Sequence, residues 1–256
     1  MTAILTVSKL RKSFGSVVAA HQIDCEIQPG EVVGIIGSNG AGKTTFVNMI
    51  TGHLVPTSGH IAFEGRDITG MPSRRLVGRG LSRSFQIAQI FPLMTVLENL
   101  CAAVAVARHR GGLLSSTFSR LSAPAHRKEA QRLMEAFRIA AHADCVAGTL
   151  AQGVRKVLDI AMACASEPRL MMLDEPTSGV AMDERDALMQ SVTDALRRFG
   201  TTIIFIEHDM DIVRRYAGRV MAFYDGRVIG DGPPDAVLTR QDVQNHIIGI
   251  RKEVST

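Results

Sequence analysis

The residues best suited to chemistry stand in three short runs, and the first of them is Gly37-Ser38-Asn39-Gly40-Ala41-Gly42-Lys43-Thr44, which has the spacing G-x-x-x-x-G-K-[ST]. A backbone that wraps closely around phosphate groups turns several N–H groups inward, in conformations that a Cβ would block, and glycine supplies them. An apolar run precedes the loop and a helical pattern follows it, so the amides and dipole of a helix N-terminus would add attraction for an anion. In that setting the Lys43 ammonium would lie on the β- and γ-phosphates of a nucleotide, and the Thr44 hydroxyl would ligate Mg²⁺. Thr45, the next residue of the helix, is counted with Gly37 to Thr44 in the nucleotide-binding set. A glycine-rich turn with an exposed lysine is the weaker reading, because the strand-loop-helix context is present as well.

The second run, Leu170-Met171-Met172-Leu173-Asp174-Glu175, reads as an apolar strand ending in two carboxylates. A phosphate-binding loop of this kind needs a partner strand whose terminal aspartate holds the metal, and Asp174 fits that role. Successive side chains on a strand diverge, so Glu175 can face the γ-phosphate and polarise an attacking water as general base. The third is His208, just beyond the apolar strand Thr202 to Ile206. Ligands of open parallel sheets bind at that carboxyl edge, and a contact to the γ-phosphate or to Glu175 is expected.

The hydropathy pattern supplies elements to position these runs. Ile4 to Leu10 and Val17 to Ile27 alternate around a Ser-Phe-Gly-Ser turn and predict an antiparallel hairpin. Glu31 to Ile36 reads as a buried parallel strand, Lys43 to Ile50 as a helix, and Ile61 to Phe63 as a short strand. Thr95 to Arg108, His126 to Arg138 and Gly153 to Ala165 have helical spacing, so the middle of the chain is helical. Helix Asp183 to Phe199, strand Thr202 to Ile206, helix Met210 to Tyr216 and strand Val220 to Tyr224 then alternate as in a parallel sheet. Helices Asp183 to Phe199 and Gln241 to Ile248 are assigned to packing. The expected class is α/β, with a mainly parallel sheet, an N-terminal antiparallel β subdomain and an inserted α-helical subdomain. Gly111 to Pro124 is the one flexible-looking connection.

Composition sets the outer bounds. The 256 residues are 46% hydrophobic and 21% charged, which suits a folded domain rather than a disordered chain. The longest apolar stretch, Leu100 to Ala107, is far short of the roughly 20 residues that span a bilayer. Met1 to Leu10 lacks the apolar core of a secretion signal, so a cytosolic protein is expected. A net charge of +4, from 29 basic and 25 acidic residues without a dense basic run, argues against nucleic acid as partner and allows weak attraction to anionic lipid heads. Cys25, Cys101, Cys145 and Cys164 form no close metal-binding pair and are expected as buried, reduced thiols.

Taken together the motifs resemble the ATP-binding subunit of ABC transporters over nearly the whole chain. The matching pieces are the phosphate loop, Ser84-Phe85-Gln86, Leu150-Ala151-Gln152-Gly153, Leu173-Asp174-Glu175-Pro176-Thr177-Ser178-Gly179 and Ile206-Glu207-His208-Asp209. The resemblance implies a P-loop NTPase core over 1–86 and 168–256, with a helical subdomain over 87–167. It further implies that Gln86 touches Mg²⁺ and the attacking water. Phe14 would match the aromatic that stacks on adenine, and an ordinary core phenylalanine is the alternative at that place. Phe85-Gln86, the run Ile90 to Leu100 and Ile206 to Met210 are similar to the branched-chain amino acid group of importers.

That likeness implies ATP and Mg²⁺ as cofactors and a head-to-tail homo- or heterodimer with a second ATPase subunit. Each ATP would lie between one subunit's phosphate loop and the other's Ala151-Gln152-Gly153 loop. Membrane permease subunits would dock beside Gln86 and Ile87 to Asn99, an extracytoplasmic solute-binding protein would take part indirectly, and the chain would sit peripherally on the inner face of the cell membrane. Most of Phe91, Met94, Val96 and Leu97 would still serve packing. Two departures from the family pattern stand out. The usual Leu-Ser-Gly-Gly-Gln reads Leu150-Ala151-Gln152-Gly153-Val154, and Ala181 replaces a common aspartate. A soluble ABC-type ATPase and a nucleotide-dependent interaction module with weak hydrolysis are the alternatives.

Overall fold

The computed structural model describes residues 2–84, 88–108 and 123–248. In chain order the elements are β1 (Leu5–Phe14), β2 (Val17–Ile27), β3 (Val32–Gly37), α1 (Lys43–Ile50), β4 (Ser58–Phe63), β5 (Arg66–Asp67), α2 (Ser73–Val77), β6 (Leu81–Ser84), α3 (Val96–Arg108), α4 (Pro124–Ala136), α5 (Gln152–Cys164), β7 (Leu170–Asp174), α6 (Met182–Arg198), β8 (Thr202–Ile206), α7 (Met210–Tyr216), β9 (Arg219–Tyr224), β10 (Arg227–Gly232), α8 (Pro234–Leu238) and α9 (Gln241–Val243). A π-helical turn over Gln244–Ile248 follows α9, in place of the single helix expected there. The backbone divides into two compact units, Met1–Leu76 with Ile203–Thr256 and Val77–Thr202.

In the first unit an antiparallel sheet has the order β2-β1-β4-β5. Leu5, Val7 and Leu10 of β1 are all buried, although strict alternation would put Leu10 on the opposite face from Leu5. A bulge restores it: the β1–β2 register shifts between Val7 and Leu10, and Lys9 takes a left-handed φ of 48°. Its amide, lost to the ladder, donates to Asp24 Oδ1 at 2.8 Å.

The same unit holds strands in the order β10-β9-β3-β8, with β3 parallel to both β8 and β9. Every residue of β3 and of β8 is buried, as the unbroken apolar runs require of strands covered on both faces. β9 and β10 form an antiparallel hairpin through Asp225 (φ 47°) and Gly226 (φ 69°). Two successive left-handed residues give the turn whose twist matches paired strands.

In the second unit β6 and β7 are parallel, and α3 packs against α4 and α5, which both pack against α6. Thr95 and Glu98 cap α3 reciprocally: the Glu98 amide donates to Thr95 Oγ1 at 3.2 Å and the Thr95 amide to Glu98 Oε2 at 2.8 Å. Among the described residues no helix is long and apolar enough to cross a membrane. One cysteine departs from expectation. Cys25, Cys101 and Cys164 are buried, whereas Cys145 is exposed, in the irregular stretch between two short 3-10 turns.

Candidate functional site

The phosphate loop joins the carboxyl end of β3 to the start of α1, and its two tightest glycines explain the motif. A Cβ on Gly37 would stand 2.5 Å from the Phe223 carbonyl oxygen, and one on Gly42 would stand 2.5 Å from that of Ala19. Gly42 also has φ 96° and caps α1 without a side chain. The helix ladder begins with the Phe46 amide donating to Gly42 O at 2.9 Å, so amides ahead of it need acceptors from outside the helix. Ala41 N–H closes the loop on Ser38 O at 3.1 Å. Lys43 is only 7% exposed, and its ammonium donates to Gly37 O at 2.6 Å and Ser38 O at 3.0 Å, which fixes a buried positive charge at the loop. Asn39, Gly40 and Thr44 are exposed, Ser38 and Thr45 half-buried.

The β9–β10 hairpin braces this loop. Gly226 N–H donates to Ala41 O at 3.0 Å, while Gly226 O accepts from the His21 amide of β2 at 2.8 Å. The Asp-Gly pair between apolar runs was a readable hairpin signal, yet sequence reasoning ended at the strand before it.

His208 follows β8, whose Ile206 pairs with Ile35 of β3, so it stands at the same carboxyl edge from which the phosphate loop departs. It is exposed, next to buried Glu207, whose Oε2 accepts the His208 amide at 3.1 Å. Asp209 then caps α7 by accepting from the amides of Asp211 and Ile212. Phe14 ends β1, is 51% exposed, and has the Lys12 ammonium 5.1 Å from its ring centroid. The alternative of a core phenylalanine is thereby corrected: the ring offers a face to solvent.

The carboxylates belong to the second unit. Asp174 ends β7, and Arg83 of β6 donates from Nη2 to Asp174 Oδ2 at 2.5 Å. At Glu175 the backbone turns left-handed, φ 48°, immediately before Pro176. Such a conformation is costly for a residue with a Cβ and persists where surroundings enforce it. Buried Lys156 contributes, donating from Nζ to Glu175 O at 2.8 Å, and the Ser178 amide donates to the same oxygen at 3.1 Å.

Ala151 is the N-cap of α5 and brings no side-chain hydrogen bond to it, so Gln152, Gly153 and Val154 form an uncapped first turn. Ala151 and Gln152 are exposed and Gly153 is buried. The Gln152 amide group lies over Gly179, where a Cβ would meet its Nε2 at 2.5 Å. Ala181 is likewise the N-cap of α6 without a side-chain bond. Gln86 and Ile87 fall outside the described residues.

The segment 88–95 of the same unit is held from beneath. Asn99, wholly buried, accepts from the Phe91 amide at 2.8 Å and donates to the carbonyls of Phe91, Met94 and Thr95 at 3.1, 3.3 and 2.9 Å. Asp159 Oδ1 accepts the Gln89 amide at 2.8 Å. So anchored, the segment leaves Phe91 53% and Leu93 91% exposed, while Val96 and Leu97 are buried. Beside it a recess of about 340 Å³ is lined by Ala88, Ile90, Pro92, Gly148 and Arg155 among others.

The structure therefore gathers Gly37 to Thr45, Phe14 and His208 in the first unit, and Asp174, Glu175 and Ala151 to Gly153 in the second. Arg83 and Lys156, which contact the two carboxylate residues, were missed by sequence reasoning.

The chain matches a family model described as ABC transporter over residues 20–178. It is 34% identical to the high-affinity branched-chain amino acid transport ATP-binding protein BraF of Pseudomonas aeruginosa, over 96% of this chain and 98% of that protein. Identity to the corresponding LivG protein of Escherichia coli is 32%, with the same coverage. Among solved structures, the ADP conformation of MJ1267, an ATP-binding cassette of an ABC transporter, superposes with a TM-score of 0.84 at 29% identity, covering 98% of this chain and 100% of that one.

Proposed function

Since the chain belongs to the ABC transporter family, we propose that it is the ATP-hydrolysing subunit that powers an importer, for branched-chain amino acids or related small polar solutes. The observation that carries this reading is the phosphate cradle at Gly37 to Thr45, with Lys43 buried at its loop, in a chain related along nearly its whole length to such subunits.

The residues fit a magnesium-bound triphosphate. Positions 37 and 42 leave no room for a Cβ, the loop offers an ammonium on Lys43 and an exposed hydroxyl on Thr44, and the second unit would contribute the carboxylate of Asp174. The magnesium ion, when bound, draws charge from the phosphate oxygens. Thr44 and Asp174 would hold it, with Gln86 as the third residue. Lys43 exchanges its carbonyl partners for phosphate oxygens and neutralises charge there. Glu175, on the left-handed turn that Lys156 supports, takes a proton from the attacking water. His208, at the carboxyl edge of β8, contacts the γ-phosphate, and the ring of Phe14 stacks on the base.

Two cassettes, identical or different, pair head to tail, so that the uncapped amides at Gln152 and Gly153 meet the nucleotide held by the other subunit. ATP bridges the pair only while its γ-phosphate is attached, so hydrolysis reopens it. Residues 87–167 act as the helical subdomain, and the recess beside Ile90 and Pro92, together with the exposed Phe91 and Leu93, takes the permease contact at the inner face of the membrane. An extracytoplasmic solute-binding protein acts through the permeases.

Affinity capture of the tagged chain from native membranes tests this reading. Permease subunits should co-purify, and ATP hydrolysis by the captured complex should rise when solute-loaded binding protein is added. Recovery of the chain with soluble partners only would refute it.

A further inference from the structure

We propose that Arg83 is an internal counter-ion that occupies Asp174 in place of a divalent cation and so makes metal loading there conditional on bound nucleotide. The proposal rests on the reading of Asp174 as the metal-side carboxylate. Strand register creates the pair. β6 and β7 run parallel with Arg83 opposite Met172, so the Arg83 side chain emerges on the face that Met172 shares with Asp174, two residues further on. The arginine stem is long enough to cover that step, and Nη2 reaches Oδ2 at 2.5 Å. The two side chains are only 9% and 15% exposed.

A carboxylate so covered is costly unless it is paired, and arginine keeps its charge at any physiological pH. A competing cation can displace the guanidinium from Asp174. Magnesium carries two charges and takes oxygen ligands, so it seeks the same carboxylate while being repelled by the guanidinium beside it. Alone, the ion would have to oust Arg83 with little gain. When a triphosphate supplies further oxygens and negative charge, the exchange becomes favourable. The pairing would thus keep Asp174 from collecting magnesium before a nucleotide arrives.

Thermal unfolding of the full chain without nucleotide, with magnesium chloride against sodium chloride of equal ionic strength, tests this. Arg83→Gln should unfold at lower temperature than wild type and recover by at least about 4 °C with magnesium. Wild type and Arg83→Lys, which keep the cation, should not respond, and Arg83→Gln/Asp174→Asn, which has no carboxylate to compensate, should be more stable than Arg83→Gln and insensitive to magnesium. Equal magnesium responses in wild type and Arg83→Gln overturn the proposal. So does an Arg83→Gln chain that is recovered folded neither with magnesium nor with Asp174→Asn. The affinity of a non-hydrolysed ATP analogue for Asp174→Asn, with and without magnesium, separates the two layers. If magnesium still tightens binding as in wild type, the metal-side reading of Asp174 fails; if it no longer does while Arg83→Gln ignores magnesium, the counter-ion role alone fails.

Discussion

Replacing Gly226 by alanine asks whether the β9–β10 hairpin positions the phosphate loop. Gly226 has φ 69°, and a left-handed residue with a Cβ costs about 1–2 kcal/mol. The new Cβ would also stand 3.0 Å from Ala19 O and 3.0 Å from His21 Cδ2, and the first of these is backbone that cannot rotate away. Overpacking of this kind costs about 1–3 kcal/mol, so the total loss of stability should be about 2–5 kcal/mol. Gly65, with φ 73° and nothing within 4 Å of a Cβ, isolates the conformational part. Gly65→Ala should lose only about 1–2 kcal/mol in urea unfolding.

The difference between the two variants is steric, and it relaxes by moving the turn off β2 and away from Ala41 O, with loss of a bond worth about 0.5–1.5 kcal/mol. The loop then loses its brace, and calorimetric affinity for a non-hydrolysed ATP analogue should fall about tenfold, or ~1.4 kcal/mol, in Gly226→Ala alone. If Gly226→Ala loses the expected stability yet binds nucleotide as wild type does, the hairpin does not position the loop and the reasoning is refuted.

Lys43→Ala removes the buried ammonium at the loop; wild type at a hundredfold excess of ATP over Kd should gain about 2.7 kcal/mol in thermal unfolding, and the variant should show no such gain. Asn99→Leu leaves four hydrogen bonds of the 91–95 segment unmade and should cost about 2–4 kcal/mol in urea unfolding; an unchanged midpoint would show that water replaces them. Burial pushes the Cys25 and Cys164 thiols up to about 12 and raises that of Cys101, so alkylation of the folded chain at pH 8 should add one group, at exposed Cys145, by mass spectrometry. Several adducts before unfolding would contradict the packing.

What could be read from the sequence was local. The phosphate loop, the β7 carboxylates and His208 each sit in a run whose residue types, order and neighbouring hydropathy carry the whole signal. Helix α1 and strand β8 were legible to the residue for the same reason. Features made by contacts between distant segments were not. Arg83 lies in Leu81-Ser82-Arg83-Ser84, a four-residue strand with no periodicity, and its pairing with Asp174 depends on a register between strands far apart in the chain. Leu10 breaks strand alternation, and only the bulge at Lys9 explains why it is buried. Cys145 shows the limit of an average: thiols are usually inside, yet this one follows the short turn Ala140–His142 on the surface. Phe14 could not be assigned inside or outside until the end of the hairpin was placed.

The most direct measurement is single-turnover ATP hydrolysis by Glu175→Gln, made alongside its affinity for Mg-ATP. Nucleotide binding should be unaltered and hydrolysis slowed about 10²–10⁴-fold, the usual cost of removing a general base. Hydrolysis at the wild-type rate would contradict that role for Glu175.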